Sequence, residues 1–431
     1  MSRSSQRALQ ALALLCVLLV AASALVWWLN VRGEPDLSAA APAAPASAGQ
    51  VQRGAYLAQA GNCMGCHTSR GGTPYAGGAA IPTPFGLLYG SNLTPDREHG
   101  IGAWSPTEFW RALHHGRSRD GRLLYPAFPY TSFTQVTRED ADALFAYLQS
   151  LPASPQPNRA HALRWPYDQQ AALAVWRALF FRAGEFRRDP SQTAAWNRGA
   201  YLVRGLGHCA ACHTARNTWG APDDSQALAG GLIPMQNWYA PALTSASEAG
   251  VADWPQEDVV ALLHTGVSPR GWVTGPMAEV VLRSTQHLSQ ADLSAMAGYL
   301  RSLPQTPARP TPARVAPTAA VATLGAKLYE QNCAQCHGDD GRGAGGVYPP
   351  LAGNRGVTMA STANLVQVVL HGGFAPATAG NPRPYGMPPY VLALSDSDIA
   401  AVLTHVRGAW GNSAPAVSEL DVTRLRSTMQ R

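Results

Sequence analysis

Charge is scarce in this sequence. Charged residues make up 14% of the 431 residues, below the roughly 25% that is usual for soluble globular chains, and Lys327 is the only lysine. The remaining positive charge is carried by arginine, and 33 basic against 27 acidic residues leave a formal net charge of +6. Because no run of basic residues with interleaved aromatics occurs, the sequence argues against nucleic-acid binding.

Long hydrophobic runs are also scarce, since only one segment is long and apolar enough to cross a membrane. It runs from Ala11 to Leu29, which at 1.5 Å per residue just spans a bilayer core of about 30 Å. Arg3 and Arg7 precede it, and Trp27 and Trp28 lie at its far end. Basic residues before a span favour a cytoplasmic N-terminus, so the rest of the chain is expected outside the inner membrane, in the periplasm.

We therefore assign residues 8–30 to a transmembrane anchor or signal. Ala22-Ser23-Ala24 resembles a signal-peptidase site, and cleavage there would remove the span and leave a soluble protein. The uncleaved anchor is the favoured interpretation because apolar residues continue beyond that site to Leu29.

Recognisable catalytic motifs are lacking as well. The sequence contains no Ser/His/Asp arrangement, dinucleotide-binding glycine loop or phosphate-binding motif in a convincing context, so no catalytic residue is predicted. Cysteine is almost absent outside one type of motif. Six of the seven cysteines lie in three Cys-x-x-Cys-His motifs, and only Cys16 remains. The motifs are Cys63/Cys66/His67, Cys209/Cys212/His213 and Cys333/Cys336/His337.

The Cys-x-x-Cys-His spacing is typical of covalent c-type haem attachment. The two thiols form thioether bonds to the haem, and the histidine that follows binds the iron, because one helical turn places all three along one haem edge. A zinc knuckle or redox dithiol is the alternative, but it needs a second ligand pair or a thioredoxin-like context that the sequence lacks. Three covalently bound c-type haems are predicted, held by the six motif cysteines and ligated by His67, His213 and His337.

The regions around the three motifs form an unequal internal repeat. Each copy opens with a helix that carries glycine shortly before the motif, at Gly54, Gly199 and Gly325. Each copy closes with a helix whose start bears a Ser/Thr-x-x-Asp cap: Thr137 to Asp140, Ser289 to Asp292 and Ser395 to Asp398. Two such helices can cross closely at the glycine and clamp a cofactor. Strand signals are weak, so the predicted fold class is all-α.

The predicted domain organisation has eight parts. They are the anchor or signal at 8–30, an Ala/Pro tether at 31–50, haem domains at 51–155, 196–305 and 320–410, a connecting segment at 156–195, a Pro/Ala linker at 306–319 and a tail at 411–431. The connecting segment contains an aromatic helical run at 172–181. We interpret that run as an interdomain packing helix, with contact to a partner or membrane as the alternative.

Methionine is the usual sixth iron ligand of electron-transfer cytochromes c. Met277 and Met387 both lie in loops shortly before a closing helix and are predicted to be metal ligands of the second and third sites. In the first copy, Phe128 stands at the corresponding position. The first iron is therefore expected either to be five-coordinate or to take another ligand, the candidates being Met64, His114 and His115.

The sequence resembles the triple-haem cytochrome c subunits of bacterial membrane-bound dehydrogenases of the alcohol, gluconate, sorbitol and aldehyde types. The resemblance rests on RGAYL at 53–57 before CMGCH, LYPAFPYTSFT at 124–134 and WNRGAYLVRGLGHCAACHTARN at 196–217. It implies three tandem class I cytochrome c-like domains behind the N-terminal helix. Family members typically carry methionine where Phe128 stands, so this sequence departs from the family at the first site.

The resemblance also implies an electron-transfer subunit rather than an enzyme. Electrons would come from a catalytic dehydrogenase subunit, which is a flavoprotein, a quinoprotein or a molybdenum hydroxylase, and pass to ubiquinone or a terminal oxidase. Two alternatives stay open. One is a haem enzyme with an open, peroxidase-like first iron, and the other is a membrane-tethered shuttle without a dedicated partner.

Overall fold

The computed structural model describes residues 3–37, 45–307 and 315–427. The tether predicted at 31–50 and the linker predicted at 306–319 therefore lie partly outside the described residues. The chain is predominantly helical, with 46% helix, as the sequence predicted. The described residues fall into two compact units, one within Met1–Ala55 and Cys66–Phe186, the other within Tyr56–Gly65 and Arg187–Arg431.

Eighteen α-helices occur in the described part of the chain. In chain order α1 to α18 they are Arg3–Val31, Ala48–Ala60, Cys63–His67, Pro106–His115, Tyr130–Phe133, Arg138–Gln149, Gln170–Phe180, Ala194–Arg204, Ala210–His213, Gln256–Thr265, Pro276–Arg283, Gln290–Arg301, Ala319–Asn332, Ala334–His337, Arg355–Thr358, Ala363–His371, Asp396–Gly408 and Glu419–Ser427. Two 3₁₀ turns are added at Asp224–Gln226 and Thr285–His287.

The strands of the described residues are short and antiparallel. In chain order β1 to β9 they are Ala80–Thr83, Gly86–Tyr89, Ala162–Leu163, Gly231–Leu232, Tyr239–Ala240, Val267–Ser268, Gly271–Trp272, Gly373–Phe374 and Gly386–Met387. β1, β2 and β3 form one sheet in that order, and the others pair as β4 with β5, β6 with β7 and β8 with β9. With two to four residues each, the strands hold neighbouring loop segments together and form no sheet layer of their own.

One glycine in each opening helix lies against the backbone of a closing helix. A Cβ on Gly54 of α2 would collide with the Ala143 carbonyl of α6, and Gly199 of α8 has the same relation to Ala295 of α12. A third pair, Gly325 of α13 and Ala401 of α17, repeats the arrangement. Close helix crossing at glycine, expected from the sequence, is thus present three times.

The predicted caps begin all three closing helices. The side chains of Thr137, Ser289 and Ser395 each accept a hydrogen bond from the backbone N–H of the aspartate three residues later. In α17 the aspartate, Asp398, also accepts from the backbone N–H of the capping residue and completes a capping box.

In the other two closing helices the aspartate bonds to arginine of the opening helix. Arg53 donates through Nε to Asp140 at 2.7 Å, and Arg198 donates to both carboxylate oxygens of Asp292 at 2.8 and 2.7 Å. The bidentate geometry of the second pair fixes the crossing of α8 and α12.

The C-terminal segment completes the core around the third motif. Val422 of α18 is fully buried and packs with Val417, Val366 and Ile399 in one apolar cluster. Arg426 donates to Asp396 at the start of α17. Residues 411–431, predicted to be a polar tail, therefore include a helix that belongs to this core.

Candidate haem attachment sites

The three Cys-x-x-Cys-His motifs lie on short helices, as the spacing predicts. They are α3, α9 and α14, each ending at its histidine. In each case an opening helix ends shortly before the motif, at Ala60, Arg204 and Asn332. Haem attachment by the six cysteines and three histidines stays a prediction.

Each motif histidine bonds through Nδ1 to a backbone carbonyl. His67 bonds to Ser91 at 2.7 Å and His213 to Pro241 at 2.7 Å. His337 bonds to Pro349 at 3.0 Å. A carbonyl only accepts, so Nδ1 carries the proton and donates, which leaves the Nε2 lone pair to bind a metal. This orienting bond is the usual second contact of a metal-ligating histidine.

The carbonyl partners were missed by sequence reasoning, although a weak signal marks them. A leucine follows two residues after each: Leu93 after Ser91, Leu243 after Pro241 and Leu351 after Pro349. The partners lie 24, 28 and 12 residues after their histidines. Because these separations differ, a search at fixed spacing does not find them.

Burial shifts the pKa values of side chains in the motifs. Burial lowers the pKa of His67, His213 and His337, so the imidazoles are neutral and ready to bind iron. Burial raises the pKa of the Cys209 thiol to about 12 and that of the Cys333 thiol to about 11. A zinc site or reactive dithiol needs stabilised thiolates.

No cluster of three or more metal-binding His, Cys, Asp or Glu side chains occurs among residues 3–37, 45–307 and 315–427. The histidine with Nε2 available and the two cysteines of each motif are the groups that a covalently attached haem requires. The residues present therefore fit that cofactor.

Met277 and Met387, both predicted to lie in loops, lie instead in a helix and in a strand. Met277 is the second residue of α11, after Gly275, whose φ of +54° is in the region that favours glycine. Met387 lies in β9, which pairs with β8, and its side chain packs against the cluster around Val366. Both methionines are half-buried. Their ligation of iron remains a prediction.

The first site has an aromatic loop in place of a methionine loop. Phe128 is half-buried, and its ring lies 5.4 Å from that of Phe133 between centroids. His114 is buried, stacks on Trp110 at 4.4 Å, and has no hydrogen-bond partner at Nδ1 among the described residues. The stacked ring behaves as a packing residue.

The other candidate ligands of the first site differ in exposure. His115 is buried, and burial together with nearby His114 lowers its pKa to about 4. Met64 is 37% exposed. Which of these groups, if any, binds the first iron remains a prediction.

The segment 56–65 packs against residues around the second motif. His208, directly before Cys209, has its Nε2 3.3 Å from the carbonyl of Gly61. Ser284 donates to the carbonyl of Ala60 at 3.1 Å, and Tyr56 donates to Asp292 at 2.6 Å. The chain leading into Cys63 is thereby fixed beside the chain leading into Cys209.

The third motif region is joined to the second by side chain to backbone bonds. Asn364 of α16 donates to the carbonyl of Tyr239 and accepts from its N–H, both at 2.8 Å. Arg355 donates to the carbonyl of Gly250 at 2.8 Å and pairs with Asp253. These contacts lie within the unit that holds both motifs.

Comparison with known proteins gives a consistent result. Residues 51–152 and 322–410 match the Cytochrome c family. The cytochrome c subunit of alcohol dehydrogenase (quinone) from Gluconacetobacter polyoxogenes is 39% identical over 88% of this chain and 84% of its own. The gluconate 2-dehydrogenase cytochrome c subunit of Pantoea cypripedii is 37% identical over 87% and 89%. The fructose dehydrogenase cytochrome subunit of Gluconobacter japonicus is 37% identical over 98% and 90%.

Proposed function

Because the chain belongs to the cytochrome c subunits of bacterial dehydrogenases, which are electron-transfer subunits with covalent c-type haem, we propose that it binds three haems and relays electrons from a catalytic subunit. The three haems would be held in three tandem class I cytochrome c-like domains at 51–155, 196–305 and 320–410. Cys63, Cys66, Cys209, Cys212, Cys333 and Cys336 would attach them, and His67, His213 and His337 would bind their irons.

The observation that carries this proposal is the hydrogen bond from each motif histidine to a carbonyl. His67, His213 and His337 donate from Nδ1 in the same way, so three imidazoles are held with Nε2 available. Bound haem supplies an iron that takes up and releases single electrons. The chain contributes the fixed ligand orientation, which limits reorganisation when the charge at the site changes.

We assign the sixth ligand positions to Met277 and Met387 in the second and third sites. A thioether ligand raises the reduction potential of a c-type haem. The first site has Phe128 instead, whose ring cannot bind iron. The first haem is therefore expected to have a lower potential than the others, or an open coordination position.

We assign α1 to an uncleaved anchor in the inner membrane, with the haem domains in the periplasm. α1 is long and apolar enough to span a membrane. Its last turn is tied to the folded unit, because Asn30 is buried and its side chain donates to the Ala174 carbonyl at 2.9 Å. Arg117 donates to Glu34 at 2.6 Å just beyond the helix. Cleavage at Ala22-Ser23-Ala24 would remove the span, while Asn30 and Glu34 would stay on the mature chain with these contacts.

The partner is proposed to be a dehydrogenase subunit that carries a flavin, a quinone cofactor or molybdenum, and the acceptor to be ubiquinone or a terminal oxidase. The test is to tag the chain at Arg431, purify it from mildly solubilised membranes and identify co-purifying proteins by mass spectrometry. A stoichiometric large dehydrogenase subunit is expected. The chain purifying alone with its haems would contradict a dedicated partner and favour a free-standing shuttle.

Phe128 favours one other function, a haem enzyme with an open, peroxidase-like first iron. Carbon monoxide binding to one haem in three, together with peroxide turnover, would support this alternative. Carbon monoxide binding without turnover would indicate a relay whose first site is open.

A further inference from the structure

Helix α7 (Gln170–Phe180) has an unusual distribution of polar and apolar residues. Arg177, its only charged residue, is buried at 3% exposure. Ala171, Val175 and Leu179 form an exposed stripe at four-residue spacing, and Leu179 is 64% exposed. A helix on a water-exposed surface presents the opposite pattern, with charge outside and apolar residues inside.

The buried arginine has a structural role that explains its position. Arg177 donates to the carbonyl of His115 at 2.6 Å and to the side chain of Asn30 at 2.9 Å. It therefore joins α7 both to the end of α4 and to the last turn of α1. The apolar stripe is left exposed while α7 is held rigidly in place.

The neighbour of α7 is the end of the membrane span. Side chains of α1 are exposed from its start to Leu25, and burial begins at Val26. The folded unit thus contacts α1 only in its last turns, where Trp27 and Trp28 provide the aromatic pair typical of a membrane interface. Asn30, which bonds to Ala174 in the middle of α7, lies one turn or less beyond these tryptophans.

The segment before α7 adds further aromatic surface. Trp165 is 79% exposed and Tyr167 is also exposed, both within the same unit as α1 and α7. Exposed tryptophan and tyrosine beside an apolar helix stripe are typical of elements that lie in the headgroup region of a bilayer. An exposed apolar stripe on a helix that contacts the end of a span is suited to lipid rather than to water.

We propose that α7 lies on the periplasmic surface of the membrane that α1 crosses, with Ala171, Val175 and Leu179 in the lipid interface. This inference rests on the proposed anchoring by α1. It replaces the interdomain packing helix predicted at 172–181 with a second membrane contact. It would also hold the first haem site at a fixed orientation to the membrane, through Arg177 and α4.

The test uses the purified full-length holoprotein in lipid nanodiscs, with Cys16 replaced by serine and one new cysteine at a time. Leu179→Cys reports on the stripe, Leu25→Cys on the span, and Leu392→Cys, at a position 99% exposed, on open solvent. The readout is the rate of modification by a polyethylene-glycol maleimide, followed as a gel shift, and the haem spectrum verifies folding.

Protection of Leu179→Cys by about tenfold or more relative to Leu392→Cys is expected from burial in the interface. Modification of Leu179→Cys at the rate of Leu392→Cys, with Leu25→Cys still protected, would overturn the membrane contact and leave the anchor intact. Equal modification of all three would overturn the anchor and this inference together. Protection in native vesicles that is lost in nanodiscs would mean that a protein partner covers α7, which also overturns the proposal.

Discussion

The crossing of α8 and α12 provides the sharpest stability prediction. A Cβ on Gly199 would collide with the carbonyl of Ala295 and with the Cβ of Tyr299. Both obstacles belong to the backbone or lie next to it, so no side-chain rotation relieves the overlap. The change Gly199→Ala must push the two helices apart where Arg198 and Asp292 hold them together.

The expected magnitude follows from two opposing effects. Alanine favours the helical state by up to about 1 kcal/mol over glycine, whereas overpacking a rigid contact costs about 1–3 kcal/mol or more. Because the obstacle is a backbone carbonyl, we expect an overpacking cost at the upper end of that range. The free energy of unfolding should therefore fall by about 2 kcal/mol in total. Gly298 of α12 is the matched control, since a Cβ there meets nothing within 4 Å. Gly298→Ala should stabilise the protein by up to about 1 kcal/mol.

Thermal unfolding of the holoprotein, monitored at the haem Soret band and by far-ultraviolet circular dichroism, measures both variants. For a domain of about 100 residues, 1 kcal/mol corresponds to about 4–8 °C in Tm. For the unfolding transition of the region that contains α8 and α12, Gly199→Ala is expected to lower Tm and Gly298→Ala to raise it. A Gly199→Ala protein as stable as Gly298→Ala would refute close helix crossing at this glycine.

Three further predictions concern single residues. Phe128→Met should raise the reduction potential of one haem in a redox titration and abolish any carbon monoxide binding in the haem spectrum, whereas Phe133→Met should do neither. Three His/Met haems in the unaltered protein would contradict this prediction. Burial lowers the pKa of His115 to about 4 from 6.5, so the unfolded state takes up the proton first and stability falls as pH drops from 6.5 towards 4. His115→Gln should flatten that decline in denaturation curves, and an unchanged slope would contradict the assignment. Asp292→Asn should cost about 1 kcal/mol by weakening the Arg198 and Tyr56 bonds, measured by denaturant midpoint. The exposed Asp120 to Arg122 pair provides the control, since Asp120→Asn should cost close to nothing.

Local chemistry in this protein could be predicted from the sequence. The caps at Thr137, Ser289 and Ser395 depend on a hydroxyl and a backbone N–H three residues apart, and all three are confirmed. The motif helices and the glycine crossings are likewise encoded by short spacings. The predominantly helical fold follows from them.

Contacts between distant residues could not be predicted in this way. The carbonyls of Ser91, Pro241 and Pro349 are backbone groups, so their role leaves no side-chain signature at the position itself. Arg177 would be read from its type as a surface residue, yet it is buried by partners that lie far away in sequence, Asn30 and His115. The helix α18 was missed because its packing joins Val422 to residues that lie far away in sequence, Val366 and Ile399.

The central claim is that all three motifs attach haem. The measurement that tests it most directly is the intact mass of the chain purified from its native membrane, compared with variants in which one motif loses both cysteines. The account predicts three haem equivalents in the unaltered chain and two in each variant. Fewer than three in the unaltered chain, or a motif variant that loses none, would contradict it.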